Sequence, residues 1–241
     1  MLKSQSQTWA AKQDLTVAGQ KLRVKQALIT PLAAYVDVET EEQNTKQVFG
    51  LINPVLIGTS GGKTVKSYYP TVLSMYNSEL YSDNSQFTLV YASNRASKLD
   101  TLSLKTFGLS AVDKDQLKVT IDLSRKQIVG VPEGLTAEKS TSVFEDGKIT
   151  FLHVMKTDQP QDIFMMRLAD EYTDAKGKVH SRPLDSPFST QMMTRGGSDA
   201  EEKYFYDFGA VAAGYPQPLT IQIERYWNPV LDTQSVDLFQ K

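Results

Sequence analysis

The sequence predicts an all-β chain folded as two tandem β-sandwich domains, residues 1–128 and 129–241, and three observations carry that prediction. Apolar and polar residues alternate with period two along most of the chain, as half-buried strands require. Turn-forming clusters punctuate the alternating runs, and 21 threonines suit pleated surfaces. A shift of 117 residues, with no gap, superposes three successive strand-like segments.

The strands are predicted in order. Leu15-Thr16-Val17 leads through Ala18-Gly19-Gln20 into Leu22–Leu28, and Ala34–Glu39 alternates again. Val55–Ile57, Phe87–Tyr91, Leu102–Thr106 and Leu117–Leu123 follow, separated by turns at Thr59–Gly62, Asp83–Ser85 and Asp113–Asp115. In the second half, Val143-Phe144, the turn Glu145–Lys148 and Ile149–Val154 read as a hairpin, and Phe164–Ala169 follows. Asp174–Lys178 is a turn, and Lys203–Phe208 and Leu219–Ile223 are strands. The 117-residue shift places Phe87, Leu89 and Tyr91 on Tyr204, Tyr206 and Phe208. It also places Leu102 and Leu104 on Leu219 and Ile221, and Val119 and Ile121 on Val236 and Leu238. Such a shared register favours duplication, with a boundary between Arg125 and Glu133, where Gly130 and Pro132 interrupt the pattern.

Composition excludes several chemistries. With no cysteine among 241 residues, disulfides, thiolate zinc sites, iron–sulfur clusters and thiol catalysis are absent. A formal charge of -2 supplies no global field for nucleic acid or an anionic membrane. No apolar run approaches the length of a membrane helix, and the first residues lack the apolar core of a signal peptide. The chain therefore reads either as cytosolic or as an exported part separated from its targeting segment.

Site motifs are sparse. Gly58-Thr59-Ser60-Gly61-Gly62-Lys63-Thr64 ends like a phosphate-binding loop, but its glycines enclose three residues where four are needed. It reads as a glycine turn between strands. Of the two histidines, neither lies in a metal-binding helix motif, and His153 sits in an apolar strand where a satisfied or surface histidine is the usual outcome. No Gly-x-Ser-x-Gly elbow occurs. Asp170, Glu171 and Asp174 before Gly177, and Asp199, Glu201 and Glu202 after Gly196-Gly197, lack calcium-loop spacing and read as solvated hairpin tips. No catalytic residue, cofactor or metal ligand is expected. Tyrosines gather at Tyr68, Tyr69, Tyr76, Tyr81 and Tyr91, and Tyr226-Trp227 follows a strand. Tyr91, Tyr204 and Tyr206 are expected in the core, whereas Tyr68, Tyr69, Tyr226 and Trp227 are the candidate contact surface.

The stretch from Leu15 to Val38 resembles the start of the extracellular immunoglobulin-like domains of membrane-anchored anti-sigma-factor-like proteins of Gram-positive, spore-forming bacteria. Leu99–Lys105 and Gln217–Ile221 are similar to that family's recurrent Leu-Thr-Leu strand. The resemblance implies two immunoglobulin-like sandwiches serving as a non-catalytic extracellular sensing or interaction module at the cell surface. Its partner would be an envelope protein or a glycan, and membrane association would run only through a segment absent from this chain. It offers no site residues to carry over. The alternatives are a carbohydrate-binding or adhesive module, and a β-sandwich hydrolase drawing two carboxylates from the acidic loops.

Overall fold

Alternation decides where the strands form. In the computed structural model, the residues described are 7–9, 12–30, 32–68, 85–92, 99–137, 147–156, 166–184, 189–194 and 199–240. They build antiparallel sheets and two single-turn 3-10 segments. The chain divides into two compact units: unit 1 comprises 1–111 with 229–241, and unit 2 comprises 112–228. This division differs from a tandem split at 128/129, because the final strand returns to the first unit. Gly130 and Pro132, read as the boundary, lie inside unit 2 at the end of a short strand and in the connection after it.

In unit 1, β1 (Gln7–Trp9), β2 (Gln13–Val17), β3 (Gln20–Ile29), β4 (Ala33–Thr40) and β8 (Gln86–Ala92) form one sheet, ordered β1-β3-β4-β8 with β2 also on β3. The β2–β3 turn has two residues, and Ala18 and Gly19 take φ of 48° and 76°, the left-handed pair that a tight hairpin requires. The second sheet contains β5 (Lys46–Ile52), β6 (Val55–Ser60), β7 (Lys63–Tyr68), β9 (Thr101–Asp113) and β19 (Pro229–Gln240), ordered β19-β9-β6-β7 with β5 on β9. Inward residues of both sheets meet in one buried cluster. Val24, Val36, Val38, Phe87, Leu89 and Tyr91 come from the first sheet, and Leu56, Leu102, Leu104 and Leu238 from the second. That is sandwich packing, and each large aliphatic buried this way contributes about 1.5–3 kcal/mol.

The returning strand is held by more than its ladder. Asp232 of β19 accepts the Ala18 amide at 2.6 Å and the Gln234 side-chain amide at 2.8 Å. These bonds, the Ala18 amide foremost, hold its carboxyl below the usual carboxylate range. At Gly108 of β9 a Cβ would lie 2.3 Å from the Val230 carbonyl oxygen, so glycine is what lets β19 approach.

Unit 2 also has two sheets. One is ordered β11-β10-β18-β14-β15, from β10 (Lys118–Asp122), β11 (Gln127–Gly130), β14 (Arg167–Thr173), β15 (Val179–Ser181) and β18 (Leu219–Arg225). The other is β12-β13-β17-β16, from β12 (Leu135–Ala137), β13 (Lys148–Lys156), β16 (Ser189–Thr194) and β17 (Asp199–Asp207). Tyrosines of β17 hydrogen-bond to β14 across the core: Tyr206 donates to the Ala169 carbonyl at 2.8 Å, and the Tyr204 hydroxyl accepts the Leu168 amide at 3.2 Å. Burial pushes Tyr204 up to about 12.

Most predicted strands are present. Phe164–Ala169 is shifted, since β14 starts at Arg167, and Phe164 and Met165 lie outside the described residues, as do Val143–Asp146 and the turn residues Asp83 and Asn84. The expected turn at Asp113–Asp115 begins one residue late, because β9 runs through Asp113 before a 3-10 turn at Lys114–Gln116.

Candidate functional site

Both imidazoles lie in unit 2, each built into a cluster by neighbouring strands. Along β13, Ile149, Phe151 and His153 occupy alternate positions and all face inward, with exposures of 1%, 0% and 1%. Register sets His153 directly opposite Glu202 of β17. The Nδ1 atom lies 3.3 Å from Glu202 Oε2, and Nε2 lies 3.1 Å from the Trp227 carbonyl oxygen. A carbonyl only accepts, so Nε2 is the donor in that contact. The Met166 amide approaches the other Glu202 oxygen at 3.5 Å. Tyr226 stacks on the imidazole with centroids 4.4 Å apart and donates its hydroxyl to the Glu133 carbonyl at 2.7 Å. Burial raises the Tyr226 phenol well above its ordinary value.

The second cluster sits at the β14–β15 hairpin. Asp174 accepts the Lys176 and Lys178 amides at 2.9 and 3.0 Å and His180 Nε2 at 3.0 Å. The His180 contact first, and the two amides after it, hold the Asp174 carboxyl below the usual range. The imidazole is stacked between Tyr215, at 3.9 Å, and Tyr172, at 5.5 Å. Tyr172, pushed up to about 12 mainly by burial, donates to the Phe208 carbonyl at 2.7 Å. This arrangement pins a hairpin, with the imidazole held against the carboxylate and between two phenol rings.

Of the candidate contact residues, Tyr68 belongs to unit 1 and Tyr226 and Trp227 to unit 2. Tyr226 is buried at 1% exposure, which corrects its reading as a contact residue: its hydroxyl and ring are both engaged inside unit 2. Trp227 is half-buried and offers its carbonyl to His153. Tyr68 ends β7, paired with Leu56 in unit 1, and Tyr69, Tyr76 and Tyr81 lie outside the described residues. Tyr91, Tyr204 and Tyr206 are buried, as predicted.

The glycine-rich segment is a hairpin turn. Ser60 pairs with Lys63 around Gly61 and Gly62, whose φ values are 58° and 74°, and the Gly61 amide donates to Asp100. Strand β7 follows it directly, where a phosphate-binding loop would open a helix. The acidic residues also separate. Asp170 pairs with Arg182 at 2.7 Å, whereas Asp174 and Glu202 are buried and so depart from the solvated tips expected of them. Asp199 and Glu201 lie on β17, and Gly196 and Gly197 lie outside the described residues. Among the described residues no three His, Asp or Glu side chains group as metal ligands. Sequence reasoning missed the Asp174–His180 contact, whose only trace is an acid and a histidine six residues apart across a turn.

No family model, curated protein or solved structure matches the chain.

Proposed function

We propose that the chain is a non-catalytic sensing or interaction module of an anti-sigma-factor-like envelope protein, exposed at the cell surface and built of immunoglobulin-like sandwiches. The observation that carries this reading is the use made of the two histidines. His153 has both ring nitrogens against protein oxygens inside the core, and His180 is stacked between two tyrosines against Asp174. A general base needs a nitrogen within reach of substrate, and these groups are spent on holding strands together. The resemblance adds support at the level of elements. Its stretch Leu15–Val38 makes β2, β3 and β4, and its two Leu-Thr-Leu-like segments fall on β9 and β18.

Recognition by such a module falls to loops and sheet edges, where an extended partner adds a strand. The test is titration of the purified chain with defined cell-wall glycan fragments and with purified envelope proteins, followed by calorimetry. Saturable binding without turnover of the ligand is expected. Hydrolysis of the glycan, or no binding to either class, contradicts the proposal.

A further inference from the structure

The pairing registers of the two units repeat each other, and the repeat has a twist in its connectivity. Between the sheets β1-β3-β4-β8 and β12-β13-β17-β16, Leu22 opposite Thr40 in unit 1 corresponds to Leu135 opposite His153 in unit 2, and Val24 opposite Val38 to Ala137 opposite Phe151. Both members of each pair are displaced by 113 residues, since 22 + 113 = 135 and 40 + 113 = 153. The next strand follows at the 117-residue shift: Val36 opposite Leu89 corresponds to Ile149 opposite Tyr206.

In the remaining sheet of each unit the order β19-β9-β6-β7 corresponds to β10-β18-β14-β15. Here Leu104 pairs with Val236, and Ile221 pairs with Val119. Since 104 + 117 = 221 and 119 + 117 = 236, each penultimate strand pairs with the last strand of the other half, at an identical register. Lys105 with Ser235 and Gln222 with Lys118 obey the same rule, as do Ser103 with Asp237 and Thr220 with Thr120. The points where the chain changes unit agree independently. It leaves unit 1 after Ala111 and returns after Asn228, and 111 + 117 = 228.

We infer that the chain is an internal duplication whose halves have traded their last strands, and that this trade couples the opening of unit 1 to that of unit 2. The coupling follows from chain connectivity. Residues 114–228 lie between β9 and β19, which must pair to complete unit 1. While unit 2 is folded, the chain entering and leaving it is held. Once it unfolds, β19 is delivered across a loop of more than a hundred residues, whose closure entropy opposes pairing. Linkage makes the effect mutual, so unit 1 supports unit 2 to the same degree. An event that loosens one unit is thereby transmitted to the other without a ligand spanning both. This inference does not depend on the proposed function.

The experiment is amide hydrogen exchange of the full chain in rising urea, read on peptides from β3–β4 and from β13–β17. Both sets are expected to lose protection at the same urea concentration. Phe151→Ala, which empties the unit 2 core, is expected to speed exchange in both sets by about tenfold or more. Where that variant fails to fold, the milder Ile149→Val gives the same reading at smaller size. Unchanged protection in β3–β4 while β13–β17 exchange faster, or two separate urea transitions in the parent chain, overturns the coupling.

Discussion

His153 and Glu202 show what a single residue can and cannot reveal. That His153 faces the core is legible in the alternation Ile149, Phe151, His153, but its partner lies 49 residues away on another strand and leaves no local trace. Removing one member strands the other in a buried site, so Glu202→Ala should lower stability by about 3 kcal/mol or more in urea titration, with Glu202→Gln milder. Tyr91 is the opposite case: its hydroxyl is buried with no hydrogen-bond partner among the described residues. Tyr91→Phe should therefore be neutral or stabilise by up to about 1 kcal/mol in the same assay. Acid sensitivity has a definite sign. Asp174 and Asp232 both have folded-state pKa values below the ordinary carboxylate value. Their contribution is present above that value and is lost as the pH falls through the lowered folded values. Replacing either by Asn should flatten the acid limb of stability against pH below about 4, measured by thermal melts across that range.

At the scale of elements, strands with clean alternation were legible and those without it were not. β3 reads buried and exposed in turn through its first six residues, and it lies where the sequence puts it. β5 carries the pattern Lys-Gln-Val-Phe-Gly-Leu-Ile with no alternation, and β11 and β15 are too short to show a period. The close approach of β9 and β19 was also hidden, because Gly108 in a strand looks locally like a weak point. Its purpose is to admit the Val230 carbonyl. Gly108→Ala should force the two strands apart and cost about 1–3 kcal/mol, with faster hydrogen exchange along β19 than elsewhere in unit 1.

For the whole molecule, the register shift of 117 residues was readable from sequence, but the partner of each last strand was not. Gly130 and Pro132 look like a linker because they break the pattern, yet the first crossing, after Ala111, falls inside the continuous strand β9, and the second, after Asn228, falls at the start of β19. Pairing between distant strands is decided by which faces bury together, and a local pattern carries no record of that. The same limit applies to the tyrosines, where Tyr226 differs from a surface residue only through its contacts with His153 and Glu133.

The traded strands are the centre of this account, and a chain without cysteine allows a direct measurement. Four double-cysteine variants are oxidised and mapped by mass spectrometry. K105C/S235C and K118C/Q222C join positions that face each other across antiparallel ladders, where Cα atoms lie roughly 4.5–5.5 Å apart, within disulfide range. K105C/K118C and Q222C/S235C join the positions that would face each other if each half kept its own last strand. With the last strands traded, intrachain disulfides form in the first two variants and the last two keep free thiols; disulfides in the last two with free thiols in the first two would contradict the trade.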